Sequence, residues 1–174
     1  KTILNKKNDK SIIENIDIGG PTMVRAAAKN FKDVTIVTDK VDYDNLIQQL
    51  KNNKGSTDVK FRKYLASKAF GLTAYYDGLI SNWFNKKLGI SFPDKKIIAG
   101  NKLDKLRYGE NPHQKSSIYI HGNESEEIGF KKISGKNLSY NNYNDIFSAL
   151  EILYSLKKTG TVIIKHANPS GVSI

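Results

Sequence analysis

Seven apolar residues set the first constraint. Phe61, Leu65, Ala69, Leu72, Tyr76, Leu79 and Trp83 recur at a period of about 3.6, the spacing that lines one face of an α-helix. The pattern predicts a long helix over 59–87, with Gly71 and Gly78 as points of bending or close packing. A helix of that length needs partners on its apolar face, and the flanking sequence supplies both helix and strand patterns.

Residues 1–10 are polar, and 11–18 (SIIENIDI) read as a short helix leading into a strand. Gly19-Gly20-Pro21 is a sharp break, and Pro21 suits the first turn of a helix, where its missing N–H costs nothing. The run 22–30 (TMVRAAAKN) predicts that helix, since its triple alanine is the best helix former. VTIVT at 34–38 reads as a buried strand; Tyr43, Leu46, Ile47 and Leu50 carry helical spacing. Residues 86–104 are a connector with a short strand at 95–99, and a domain boundary is expected near residue 104.

Beyond it, 106–114 is dense in turn residues, 117–121 alternates like a strand, 123–127 is an exposed acidic loop and 130–133 reads as another strand. Residues 138–145 lead into a helix whose apolar face is Ile146, Phe147, Leu150, Leu153, Tyr154 and Leu156. The last fourteen residues, TVIIKHANPSGVSI, read as a buried strand ending in Lys165-His166, then a turn at 168–171. Helix and strand patterns alternate in both halves, so the predicted class is α/β.

Composition narrows the function. The chain has 28 Lys and Arg against 17 Asp and Glu, a net charge of +11, which invites a nucleic-acid reading. The excess is nearly all lysine, spread along the chain, with arginine only at 25, 62 and 107. Base readout favours arginine forks, so a solvated lysine surface is the expectation and no nucleic-acid partner is assigned. With no cysteine there is neither a disulfide nor a thiolate metal site. His113, His121 and His166 are scattered, so no metal is expected. No apolar run approaches the roughly 18–20 residues of a membrane span. A start without Met or signal-peptide pattern, and an end on a core-forming strand, read as an internal fragment of a cytoplasmic protein.

Four segments carry candidate chemistry. Asp17, Ile18 and the Gly-Gly turn precede a helix N-terminus, where free N–H groups and the helix dipole favour an anion, with Lys29 further along the helix; a plain capped turn is the alternative. Arg107 offers a planar fork for phosphate or carboxylate, and Tyr108 a ring and a hydroxyl; a polar linker is the alternative. Asn142 offers a donor and an acceptor without charge, amid Tyr140, Asn141, Tyr143, Asn144 and Asp145, of which Asn144 or Asp145 also suits a helix N-cap. Lys165-His166 pairs an oxyanion stabiliser with a group that takes a proton near pH 7. A strand-end Lys with a hydrogen-bonded His is the alternative there.

In order, IDIGGPTMVRAAAKN, LRYGENPHQ, SYNNYND and IIKHANPSG resemble the family of bifunctional purine-biosynthesis enzymes that combine AICAR transformylase with IMP cyclohydrolase. The resemblance implies formyl transfer from 10-formyltetrahydrofolate to the 5-amino group of AICAR, then dehydrative closure of FAICAR to IMP. It also implies a homodimer. The fold implied is the C-terminal part of a methylglyoxal-synthase-like cyclohydrolase domain, residues 1–104, joined to the start of a cytidine-deaminase-like transformylase domain, residues 105–174. Asp17 and Ile18 then match nucleotide-contacting positions, and Lys29 the lysine of proton transfer in ring closure. Arg107 and Tyr108 match the pair that holds AICAR, and Asn142 a substrate-contacting Asn. Lys165 matches the lysine that stabilises the transition state, and His166 the general base. The resemblance covers about half of each active site, so the fragment alone is expected to be inactive. A non-catalytic nucleotide-binding module and a basic nucleic-acid-binding protein are the alternatives.

Overall fold

The computed structural model describes residues 8–121 and 128–174. Part of the polar start, residues 1–7, and the whole of the loop expected at 123–127 therefore lie outside the described residues. The mixture of helices and strands fits the α/β class. The chain divides into two compact units between Ala99 and Gly100.

The described residues of the first unit form helices joined by segments without regular secondary structure. α1 spans Asp9–Glu14, α2 Gly19–Lys29, α3 Tyr43–Asn52 and α4 Val59–Lys87, with a 3₁₀ turn at Lys40–Asp42. The bounds of α4 are those of the sequence pattern. It starts where Asp58 accepts the Phe61 N–H at 2.6 Å, an N-cap that satisfies one of the helix's orphan donors. That bond holds the Asp58 carboxyl below the ordinary carboxylate range.

The core lies where α2 meets α4. Ala28, Ala66 and Ala69 are buried together, with Val24, Phe31 and Ile36 packed around them. Small side chains let the two backbones approach closely. Residues 66, 69 and 73 share one face by the i, i+3, i+7 rule, and the core includes Thr73 rather than Leu72, which is 48% exposed. Leu65 is 1% exposed. Of the two helix glycines, Gly78 is the close-packing one. A Cβ there would stand 2.9 Å from Ile97 Cγ2, whereas nothing lies within 4 Å of one at Gly71. The chain at 97–99 therefore lies against α4, and Asn82 Nδ2 donates to the Ile97 carbonyl at 3.1 Å.

Two polar ties fix the connections of this unit. Lys68 on α4 pairs with Asp42, which is 3% exposed, and reaches Asp39 at 3.4 Å. Its hydrogen bond to Asp42 raises the Lys68 pKa. Arg62 donates from Nε to the Phe31 carbonyl at 2.9 Å and from its other nitrogens to the carbonyls of Thr57 and Lys32. One guanidinium thus ties the segment after α2 to the start of α4.

Four expected strands are absent. Residues 34–38 carry no regular secondary structure and pair with no strand among the described residues; Thr35 Oγ1 instead meets Thr57 Oγ1 at 2.8 Å. No strand forms at the end of 11–18 or at 95–99. A β-branched run becomes a strand only when another edge accepts its N–H and C=O groups.

In the second unit β1 spans Gly100–Lys105, starting within the stretch read as a connector, and pairs antiparallel with β2, Ser117–His121. The register shifts between Lys102 and Asp104. α5 spans Tyr140–Ser155. The fourth absent strand is 130–133, an irregular segment whose Phe130 packs on the α5 rings of Tyr143 and Phe147 at centroid distances of 5.7 and 6.1 Å. Burial pushes the Tyr143 phenol up.

β3, Thr161–Lys165, and β4, Asn168–Ser173, form an antiparallel hairpin. The last fourteen residues differ from the sequence expectation in two ways. Residues 168–171 are strand rather than turn: Pro169 stands opposite Ile164 and Gly171 opposite Ile163, and a bulge takes up Ser170 between the two pairs. The turn is His166-Ala167. The strand is not buried either: Ile163 is 61% exposed.

Candidate functional site

The clearest convergence of candidate residues lies at the N-terminus of α5. Ser139 is its N-cap, in place of the expected Asn144 or Asp145. Ser139 Oγ accepts the Asn142 N–H at 3.3 Å, and Asn142 Oδ1 accepts the Ser139 N–H at 3.0 Å. This is a capping box, with Asn in the position usually held by Glu or Gln. It commits the Asn142 carboxamide oxygen and leaves Nδ2 as the donor for a ligand.

The segment carrying Arg107 and Tyr108 is stitched to that helix start. Arg107 N–H donates to the Leu138 carbonyl at 2.9 Å, and the Tyr108 carbonyl accepts the Tyr140 N–H at 3.1 Å. Tyr140 is the first residue of α5, so Tyr108 supplies the acceptor for an N–H that the helix itself leaves unpaired. Asn141 Nδ2 adds a bond to the Glu110 carbonyl at 3.0 Å. Within the loop, Gln114 Oε1 accepts the Asn111 N–H at 2.8 Å, and its carbonyl accepts the Gly109 N–H at 2.9 Å. Gly109 is required there, since a Cβ would stand 2.9 Å from Gln114 Cβ.

Arg107 lies over the Tyr108 ring, 4.8 Å from its centroid, and Nη2 donates to the Tyr108 hydroxyl at 3.1 Å. A hydrogen bond from Ser139, then the hydrogen bond and charge of Arg107, hold the Tyr108 phenol below its ordinary value. The result is an exposed guanidinium with most of its donors outward, braced on a ring. Beside it a cleft of about 270 Å³ is lined by Leu106, Ile118, Tyr140, Tyr143, Asn144 and Phe147.

Ser139→Ala is expected to have two separable effects. Loss of the cap lowers stability by about 1 kcal/mol, read by denaturant unfolding. Loss of its hydrogen bond moves the Tyr108 titration upward, read as the difference between spectrophotometric titrations with and without Tyr108→Phe.

Lys165 and His166 are presented at the tip of the β3–β4 hairpin. Lys165 ends β3, paired with Asn168, and both Lys165 and His166 are exposed. His166 and Ala167 have φ of 52° and 58°. Positive φ at both central residues is the requirement of a type I′ hairpin turn, which Asn-Gly meets most easily. For these two residues it costs about 1–3 kcal/mol each. Two side chains steady the turn. Asp145 Oδ1 on α5 accepts the Ala167 N–H at 2.7 Å, and Asn168 Nδ2 donates to the His166 carbonyl at 2.8 Å. Asp145 follows Asn142 by three residues, so both lie on one face of α5.

The first unit's candidates are arranged differently. Asp17 Oδ1 accepts the Gly20 N–H at 2.9 Å, and its own N–H donates to the Tyr76 hydroxyl at 2.8 Å. The two glycines lie inside the first turn of α2, not before it, and the Gly20 N–H is used by Asp17 rather than free for an anion. Gly20 is needed, since a Cβ would lie 2.3 Å from Asp17 Oδ2. Ile18 is 72% exposed. Lys29 ends α2 and is exposed. At 1.5 Å per residue it stands roughly 16 Å along the helix axis from Ile18. Asp17 and Ile18 are therefore together, and Lys29 is at the opposite end of the helix.

Among the described residues no group of three His, Asp or Glu side chains is placed to hold a metal ion, and no helix is long and apolar enough to cross a membrane. Ser139 and Gln114 are the structural contributors that motif reading did not single out. The Ser139-x-x-Asn142 spacing was the available signal for the first.

A family model described as the AICARFT/IMPCHase bienzyme matches residues 27–174. That span includes Lys29 and every second-unit candidate, and begins after Asp17 and Ile18. The bifunctional purine biosynthesis protein PurH of Bradyrhizobium diazoefficiens is 48% identical over 165 residues, 92% of this chain and 31% of that protein. PurH of a Thermoanaerobacter species is 49% identical over 163 residues, 93% of this chain and 32% of that protein. PurH of Persephonella marina is 48% identical over 168 residues, 94% of this chain and 32% of that protein. The chain thus spans about a third of the length of the curated relatives it matches.

Proposed function

The chain belongs to the AICARFT/IMPCHase bienzyme family, and from that premise we propose that its two units contribute to two different reactions of purine biosynthesis. The second unit contributes to formyl transfer from 10-formyltetrahydrofolate to AICAR. The first contributes to closure of the product, FAICAR, to IMP. In this reading they are the start of a cytidine-deaminase-like transformylase domain and the C-terminal part of a methylglyoxal-synthase-like cyclohydrolase domain. The full-length enzyme is a cytoplasmic homodimer.

In the transfer step the 5-amino nitrogen of AICAR attacks the formyl carbon. A C–N bond forms, negative charge collects on the formyl oxygen, and the bond to the folate nitrogen breaks as that nitrogen takes a proton. His166 accepts the proton lost by the amine, and the Lys165 ammonium faces the developing oxyanion. Arg107 and Tyr108 hold AICAR, with the Asn142 Nδ2 donor beside them. In the closing step the carboxamide nitrogen of FAICAR attacks its formyl carbon and water leaves. Lys29 moves a proton there, while Asp17 and Ile18 contact the nucleotide.

One observation carries this reading for the second unit. α5 accepts the Arg107–Tyr108 loop at its first turn and the His166 turn one turn later. A single rigid element thus supports both the substrate-holding pair and the base. The two-unit division is tested in a full-length bienzyme carrying this segment. Lys29→Ala should slow FAICAR closure by about tenfold or more and leave formyl transfer intact. Lys165→Ala should do the reverse. Equal losses of both activities in either variant would contradict the division.

A further inference from the structure

We propose that Asp145 is a positioning residue for formyl transfer, holding the left-handed turn that presents Lys165 and His166. The inference rests on the reading of the second unit given above.

Three observations converge on Asp145. The first is the turn itself. His166 and Ala167 both adopt positive φ, 52° and 58°, and neither is glycine or asparagine. Residues of this kind stay in the left-handed region only where their surroundings hold them. The second is the hold. Asp145 Oδ1 accepts the Ala167 N–H at 2.7 Å from a position 22 residues earlier, so the restraint comes from outside the hairpin. A carboxylate acceptor makes this bond stronger than a neutral one. The third is placement. Asp145 is half-buried on α5, three residues after Asn142, whose capping box with Ser139 fixes the helix start that also binds the Arg107–Tyr108 loop.

The consequence is geometric. The hairpin strands are largely exposed, and the Ala167 N–H is the point at which the turn is bonded to α5. Without the carboxylate the Ala167 N–H loses its protein acceptor, and the turn is free to leave the left-handed region. His166 and Lys165 then change direction relative to the Arg107–Tyr108 pair. Small displacements of a proton-transfer group cost rate rather than substrate affinity.

The test compares wild type, Asp145→Ala, Asp145→Asn, His166→Ala and the Asp145→Ala/His166→Ala double variant in a full-length bienzyme carrying this segment. Two readouts are taken: kcat and KM for AICAR in formyl transfer, and hydrogen exchange of the Ala167 amide. Asp145→Ala should speed exchange at Ala167 by about tenfold or more. It should lower kcat by about 10- to 100-fold with the KM for AICAR unchanged. Asp145→Asn keeps an acceptor oxygen and should restore most of both. The double variant should be no slower than His166→Ala alone.

Wild-type kcat in Asp145→Ala beside a collapsed His166→Ala would overturn the positioning role and leave the role of His166 standing. Wild-type kcat in His166→Ala would overturn the functional reading and the positioning role with it. A loss of kcat in Asp145→Ala with exchange at Ala167 unchanged would also overturn the proposal, since the damage would not pass through the turn.

Discussion

Replacing His166 by alanine in a full-length bienzyme is expected to lower the rate of formyl transfer by about 10²–10⁴-fold, the usual contribution of a general base. The amine of AICAR is a weak nucleophile, and its proton must leave as the new C–N bond forms. The hairpin presents His166 exposed on a backbone held at a φ of 52°, and in the proposed reading it is the group that takes this proton. A histidine kept only to fill space would not need an exposed position on an energetically unfavourable turn. The loss should appear in kcat. Formyl transfer at the wild-type rate in His166→Ala would return Lys165-His166 to a structural role.

Leu65→Ala is expected to destabilise the chain by about 2–5 kcal/mol, the range for truncating a fully buried leucine. Leu65 is 1% exposed on the helix that carries the core of the first unit. Its side chain is close to fully removed from water, so truncation leaves a cavity as well as losing the buried apolar surface. Leu72→Ala is the control. It belongs to the same sequence stripe but is 48% exposed, so its effect should stay within about 0.5 kcal/mol. Urea unfolding of the two variants gives the comparison as a shift in midpoint at constant slope. Equal losses would contradict the difference in burial between the two leucines.

The same pair of leucines shows what periodicity can and cannot convey. A period near 3.6 identified α4 from Val59 to Lys87, because a long amphipathic pattern has few competing interpretations. It could not say which residues on either side of the stripe meet the partner. That depends on α2, whose triple alanine reads only as helix-forming and turns out to include the contact surface at Ala28.

Strands were less legible, for a related reason. Residues 34–38 have strand composition and no ladder, while 168–173 contain proline and glycine and form one. Pairing is decided by an edge elsewhere in the chain, which local composition does not encode. At the candidate site the chemical residues Arg107, Tyr108, Asn142, Lys165 and His166 stood out by type and motif. Their supports did not. Nothing local announces that the Tyr108 carbonyl pairs with the first N–H of α5. The turn at His166-Ala167 lacks the Asn-Gly signature that usually marks such a geometry.

The division of labour in the second unit is tested most directly by equilibrium titration of AICAR, without folate, against Arg107→Met and His166→Ala in a full-length bienzyme carrying this segment. The account predicts that Arg107→Met weakens AICAR binding by about tenfold or more, as expected for loss of a charged hydrogen-bonding fork. It predicts that His166→Ala binds AICAR as the wild type does. Unchanged binding in Arg107→Met, or binding lost equally in both variants, would contradict it.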